Sequence, residues 1–489
     1  MADPLVQARM EKLRALRDRG VDPYPARFGP RESIGAVVAR HSHLGEEARS
    51  GEVVGIAGRL VALRRMGRAA FFDLRDGSGQ VQVRASSDGL GAEGFEDLSS
   101  ADIGDFLSFR GEVFRTKKGE LTVEAAAWSR LAKALRPLPE KWHGLKDVEL
   151  RYRHRSLDLI SNAEVREAFV RRSRMVAAMR RYLDERGFLE VETPILQSIA
   201  GGATARPFVT HHHTLDADLY LRVAPELYLK RLIIGGLERV YELGRNFRNE
   251  GVSTEHNPEF TTLEIYEAYS DYEGMMALAE GLVSAATQAA TGSLRVPYQG
   301  VELDFSPPWR RVGMEEAVEE ATGIAVRGRT AEEIRADAAR SGIEIPPSSR
   351  GKAIERLFEE KVEPSLVQPT FVLDYPIDIS PLAKRALGRD ETVERFELFV
   401  AGMEVGNAFT ELNDPLDQRE RFEAQERLRA GGDEEAQRVD EDFLFALEHG
   451  MPPTGGIGFG VDRLAMLLTD SRSIRDVILF PTLRARREA

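Results

Sequence analysis

The sequence predicts an α+β chain: a small β-barrel near the N-terminus, then a larger domain mixing helices and strands. Three observations carry this. At 489 residues the chain is too long for one ordinary domain. Between residues 53 and 132, short runs of alternating apolar residues are separated by glycine turns. Beyond residue 151, helical and strand-like segments follow one another without the strand–helix–strand rhythm of a doubly wound sheet.

Taken in order, residues 1–52 read as a charged helical extension, interrupted by three prolines in DPYPARFGP (22–30). Residues 53–135 hold about five strands: VVGIAGRLVALRRMG (53–67), AAFFDLRDGSGQVQVRA (69–85) and DFLSFRGEVFRTKKGELTVEAAAWSRL (105–131). So many short strands in so little chain suggest an OB-fold barrel. The stretch 136–150, which begins in the proline-containing connector ALRPLPEKWHGL (134–145), reads as a linker, and 151–489 as the second domain. That domain opens on a helix, AEVREAFVRRSRMVAAMRRYLDERG (163–187), stopped at Gly187 and followed by a strand ending at Pro194. Strand or strand–helix pieces should surround one sheet: 218–236, 237–251, 258–272, 395–414 and DVILFPTLR (476–484). Residues 415–450 read as a solvated, highly charged helical run, and 275–370 as an elaboration between motifs.

Composition narrows the chemistry. There are no cysteines, which excludes disulfides, thiolate catalysis and cysteine-bound zinc. MADPLVQARMEKLRALRDRG (1–20) lacks the apolar core of a signal peptide, and no apolar run reaches a membrane span, so a cytoplasmic location with no membrane partner is expected. The net charge is −13, but residues 1–150 carry 24 Lys and Arg against 22 Asp and Glu, the remainder 43 against 58. Any RNA-facing surface is therefore expected at the N-terminal end.

Two segments point to a nucleoside triphosphate. GIGFGVDRLAML (456–467) sets Arg463 beside alternating glycines, and GRNFRNEG (244–251) sets Arg245 and Arg248 beside Glu250. Guanidinium forks suit phosphate and carboxylate. The glycines are spaced G-x-G-x-G, and no P-loop motif occurs, so separated arginines, metal and backbone would hold the phosphates. His256 and Phe260 are placed to meet a base by polar contact and ring stacking. In FELFVAGMEVGNAFTELND (396–414), Glu397, Glu404 and Glu411 recur seven apart, an odd spacing that implies a bulge or turn between them. Carboxylates beside a triphosphate suit Mg²⁺. HHH (211–213) lacks helical ligand spacing and reads as a polar strand or loop.

Together these segments resemble the class II aminoacyl-tRNA synthetases of subclass b, and within them the bacterial lysine-specific branch. RGFLEVETPIL (186–196), FRNE through PEF (247–260) and GIGFGVDRLAML (456–467) resemble the three class motifs, in order. Similar segments run over almost the whole chain, including LRALRDRGVDPYPARF (13–28), 134–160 and GGATARPFVTHHHTLDADLYLRVAPELYLKRL (201–232). The resemblance implies an OB-fold anticodon-binding domain and a catalytic domain built on an antiparallel sheet flanked by helices. It also implies ATP and L-lysine as substrates, tRNA(Lys) as acceptor, Mg²⁺ as cofactor and a homodimer built on motif one.

Site roles follow from the resemblance position by position. Arg248 would bind the α-phosphate and the amino-acid carboxylate, and Arg463 the γ-phosphate; Phe260 would stack on adenine with Glu250 and His256 nearby. Glu397 and Glu404 would hold Mg²⁺. Gly202 and Glu226 match α-amino contacts, Asn407 lies near the carboxylate, and Glu264, Tyr266 and Glu411 match residues meeting an ε-ammonium. Phe71, Gln82 and Glu120 match anticodon contacts, with Phe72 as the other candidate for the exposed ring. Phe459, Ala408, Thr410 and His213 depart from the usual residues, and none removes a charge. Aspartate- or asparagine-specific members share the layout, and a lysine ligase with a protein acceptor shares the catalytic domain but lacks the N-terminal module.

Overall fold

The computed structural model describes residues 3–139, 145–432 and 436–484, in two compact units, Met1–Lys146 and Asp147–Ala489. Residues 140–144 of the expected linker, and 433–435 of the expected charged helical run, lie outside the described residues.

In the first unit, α1 (Pro4–Asp18) starts with proline at its first turn and the Asp3 carboxylate accepting from the Leu5 N–H; α2 (Ile34–His41) is capped by Ser33. Five strands follow: β1 (Arg49–Met66), β2 (Ala69–Arg75), β3 (Gln80–Ser86), β4 (Phe106–Arg115) and β5 (Leu121–Ala132). They close into a barrel in the order β1-β2-β3-β5-β4, the predicted OB-fold. The strand pattern gave no sign of α3 (Ser87–Ser99), whose Gly91 takes a positive φ. Period-two alternation sends Phe72, Leu74, Val83 and Phe109 into the barrel, where the Phe72 and Phe109 rings lie 5.8 Å apart. Phe71 therefore points outward, paired with Arg84 and Arg64 on the neighbouring strands.

The second unit is built on an eight-stranded sheet. Its strands in chain order are β6 (Leu189–Glu190), β7 (Arg239–Phe247), β8 (Glu259–Ala268), β9 (Arg310–Gly313), β10 (Thr370–Leu373), β11 (Arg395–Val400), β12 (Met403–Thr410) and β13 (Thr454–Gly460). The spatial order is β9-β10-β11-β12-β13-β8-β7-β6, antiparallel throughout except at the two edge pairs. Helices α4 (Ala163–Asp184) and α6 (Tyr272–Thr291) cover one face, where Met179, Leu183 and Leu282 pack on Leu263, Ile265, Leu398, Ile457 and Phe459. Because side chains alternate along a strand, Glu264, Tyr266 and Asn407 must then project from the other face. That face also carries α5 (Glu226–Ile234), and the unit includes α7 (Pro415–Ala430), α8 (Glu441–Leu447) and α9 (Val461–Leu468). Among the described residues no helix is long and apolar enough to cross a membrane.

Four expectations require correction. The strand expected to end at Pro194 spans only Leu189–Glu190, because β7 pairs with it at just two positions. Residues 275–370 are more than an elaboration: they include most of α6, strand β9 of the main sheet and the first residue of β10. DVILFPTLR contributes no strand, only the end of a short helix at Ile474–Val477. The charged run 415–450 is two helices, α7 and α8, with buried Phe422 and Phe443 in ring contact beneath them.

Candidate active site

The open face of the sheet forms the floor of a cleft of about 420 Å³. Every candidate residue of the second unit lines it: Gly202, Glu226, Arg248, Glu250, His256, Phe260, Glu264, Tyr266, Glu397, Glu404, Asn407, Glu411 and Arg463. Arg245 does not. It leaves β7 away from the cleft, beside Glu259, so of the two arginines of GRNFRNEG only Arg248 lines the cleft.

The alternating glycines act differently from the sequence expectation. GIGFG is strand β13, with Ile457 and Phe459 in the core and Gly456, Gly458 and Gly460 under the cleft. Gly456 pairs with Tyr266, and Gly458 with Glu264 and Asn407. A Cβ on Gly456 would overlap Glu411 Oε1 and the Tyr266 ring. Bare backbone at Gly456 and Gly458 clears space for Glu411, Tyr266 and Glu264.

One end of the cleft is cationic. The Arg248 guanidinium lies 5.1 Å from the Phe260 ring centre, and its buried Nε has no hydrogen-bond partner among the described residues. Arg463, on the first turn of α9, donates through Nη1 to the Glu404 carbonyl (2.7 Å), while its Nη2 lies 3.3 Å from His256 Nε2. Burial and the Arg463 charge hold His256 below its ordinary pKa, so the imidazole is neutral at pH 7.

The acidic pair follows the predicted bulge. A register shift between β11 and β12 makes Val405 the extra residue, which returns Glu404 to the face carrying Glu397 and Asn407. Glu397 accepts from the Tyr375 hydroxyl (2.8 Å) and pairs with Arg395; burial raises it to about 7 despite that arginine, with Glu404 adding to the rise. Two carboxylates on one face, one of them still half-exposed, suit an ion that takes one or two protein carboxylates and fills its other positions with phosphate oxygens and water. No group of three or more acidic or histidine ligands occurs among the described residues.

The opposite end is acidic and dry. Glu226, Glu264 and Glu411 are all at most 7 % exposed, with the Tyr266 hydroxyl 3.3 Å from Glu264 Oε2. Burial, reinforced by the neighbouring Glu226, raises Glu264 to about 8; Glu411 reaches about 8 through burial too, despite the Lys230 ammonium against it. Tyr266 is raised for the same reasons.

Two residues were missed from the sequence. Arg395 donates to Asn407 Oδ1 (3.2 Å) and lies over Tyr375, and its signal was position: two residues before Glu397 on one strand face. Lys230 is fully buried, its Nζ 2.6 Å from Glu226 Oε1 and in contact with Glu411 Oε2. Its signal was the i,i+4 pair with Glu226 in ELYLK. Phe71, Gln82 and Glu120 lie in the first unit: Phe71 half-buried on the outer barrel face, Gln82 on the same face accepting from Thr122 Oγ1, and Glu120 exposed in the turn before β5. The run His211–His213 is a polar edge, with His211 Nδ1 2.9 Å from Asp218.

Comparison with known proteins adds to this geometry. Residues 147–484 match the family tRNA synthetases class II (D, K and N), and residues 54–131 match the OB-fold nucleic acid binding domain. The chain is 55% identical over 484 residues to a lysine–tRNA ligase of Syntrophomonas wolfei, covering 99% of this chain and 97% of that one. It is 55% identical over 486 residues to one of Moorella thermoacetica (99% and 98% covered), and 54% identical over 492 to one of Prochlorococcus marinus (98% and 97%).

Proposed function

The chain belongs to the class II tRNA synthetases of the D, K and N group, and from that premise we propose that it activates L-lysine with ATP in the cytoplasm and transfers it to the 3′ end of tRNA(Lys). It is an ATP-dependent aminoacyl-tRNA ligase, and its full-length relatives are lysine–tRNA ligases. The observation that carries the choice of amino acid is the acidic end of the cleft. Three buried carboxyls surround a pocket whose built-in cation, Lys230, is already engaged by two of them. A long-chain amine supplies the positive charge that such a pocket lacks, whereas an aspartate side chain would need a free basic group there.

In this reading the lysine carboxylate oxygen attacks the α-phosphorus of ATP. The bond to the bridging oxygen breaks, and pyrophosphate leaves. A terminal ribose hydroxyl of tRNA then attacks the carbonyl carbon and AMP departs. No side-chain nucleophile is required; the residues position reactants and stabilise charge. Arg248 would bind the α-phosphate beside the amino-acid carboxylate, near Asn407, and Arg463 the γ-phosphate. Phe260, with Glu250 and His256, would hold adenine; the neutral His256 can accept a hydrogen bond while leaving the cationic charge to the arginines. Glu397 and Glu404 would hold magnesium, which when bound neutralises phosphate charge. Gly202 and Glu226 would receive the α-amino group, and Glu264, Tyr266 and Glu411 the ε-ammonium. A Cβ on Gly202, where φ is +88°, would press on the Glu226 and Ala224 side chains, which supports close backbone approach at this point.

Residues 53–135 serve as the anticodon-binding domain, and 151–489 as the catalytic domain. The chain works as a homodimer, a reading supported by exposed Leu189, Ile195 and Leu196 around motif one. Transfer of labelled lysine to purified tRNA tests the whole proposal. Lysine-dependent pyrophosphate exchange without charging would point instead to a different acceptor.

Two further results are expected. Phe71→Ala removes the outward ring from the barrel, where stacking on one base is worth roughly 1–3 kcal/mol. It should raise the tRNA requirement in charging by about tenfold or more and leave pyrophosphate exchange intact. Equal loss of both would remove Phe71 from tRNA binding. The second concerns pH. Glu264 and Glu411, raised to about 8, carry protons at neutral pH that a bound ammonium must displace. Lysine binding should therefore tighten as pH rises from about 6 to about 8, with proton release measurable by calorimetry in buffers of different ionisation heat. In the free protein the sign reverses. These raised carboxyls stabilise the fold below the ordinary glutamate range, and that contribution is lost as pH climbs through about 8.

A further inference from the structure

We propose that Lys230 is a positioning residue of the amino-acid pocket: its fixed ammonium ties Glu226 to Glu411 and so fixes where the carboxyls that receive a diamine substrate stand. The inference rests on the lysine reading above and deepens it.

Lys230 does not line the cleft; it stands behind it on α5, one helical turn after Glu226, with no exposed surface. Its Nζ lies 2.6 Å from Glu226 Oε1 and touches Glu411 Oε2, so one internal cation connects two cleft carboxylates from distant parts of the chain. Burial alone would strip its proton, yet the two glutamates hold its pKa above the ordinary lysine value. The other groups facing this cluster are Glu264 and Tyr266 on β8 and Arg395 on β11, which acts on Glu226. Glu411 has little freedom: its N–H donates to the Thr454 carbonyl (2.8 Å), and its Oε1 packs on Gly456.

A buried ion pair does little for stability that a well-packed apolar side chain could not do. Its effect here is on the carboxylates. Two desolvated acids without a cation between them repel and take up protons, and a protonated acid is a poor acceptor for an ammonium. With Lys230 in place, Glu226 and Glu411 keep their separation, and the ammonium opposes the upward shift that burial imposes on both. With both carboxyls held in fixed places on one cation, a chain one methylene shorter, such as ornithine, meets them in a different register.

The test is Lys230→Met in the full-length protein, read by pyrophosphate exchange. The KM for lysine should rise about tenfold while that for ATP stays within about twofold, and the preference for lysine over ornithine should shrink. The pH at which lysine binds tightly should move upward, because the uncompensated glutamates hold their protons longer. If this variant folds poorly, Lys230→Met combined with Glu411→Gln removes both partners of the buried contact. That pair should show a lysine KM no worse than Glu411→Gln alone. An unchanged lysine KM, an unchanged lysine-to-ornithine preference, or additive penalties in the double variant overturn the proposal. Failure of wild-type protein to exchange pyrophosphate with lysine overturns the lysine reading itself.

Discussion

Arg248→Ala is expected to lower lysine-dependent pyrophosphate exchange by roughly 10²–10³-fold, the range seen when one preorganised donor to developing charge is removed. The residue stands where the phosphate and amino-acid parts of the cleft meet, and its guanidinium is held over Phe260 at 5.1 Å. Its buried Nε has no acceptor among the described residues, which is an unfavourable arrangement for the free protein. A group kept in that state for a ligand should not stabilise the fold. The alanine variant should therefore melt at the same temperature as wild type, or slightly higher. Arg248→Lys should not restore activity, because a single ammonium cannot reproduce a planar fork. Near-normal exchange by Arg248→Ala would remove this residue from the chemistry.

Glu411→Gln is expected to raise the KM for lysine about a hundredfold, in line with the 2–5 kcal/mol typical of breaking a buried hydrogen-bonded charge pair. The KM for ATP should change little, since Glu411 lies at the acidic end, against Lys230 and Gly456, while Arg463 and Glu404 lie at the other. Paired measurements of both constants decide it. A larger change for ATP than for lysine would take Glu411 out of the amino-acid pocket.

The barrel was legible because its information is local. Alternating apolar residues and the DGSG and KKGE turns announce each strand, and burial of Phe72 leaves Phe71 outside by parity alone. The candidate cleft was legible where several of its lining residues fall in one short segment, as in FRNE with His256 and Phe260. It was obscured where meaning depends on partners far along the chain. Gly456 looks like a phosphate-loop residue until Tyr266 and Glu411 are seen against it. Lys230 pairs visibly with Glu226 one turn away, but nothing local reveals Glu411 on its other side. Arg245 and Arg248 look equivalent in sequence, and only the direction in which the chain leaves β7 separates them.

A buried acidic pocket should select a long-chain amine, and pyrophosphate exchange driven by each of the twenty amino acids in turn shows whether it does. Lysine should drive exchange at least about a hundredfold better than any other, consistent with a site whose buried charges are left unmatched by a wrong side chain. Exchange driven best by aspartate, asparagine or any uncharged amino acid would contradict it.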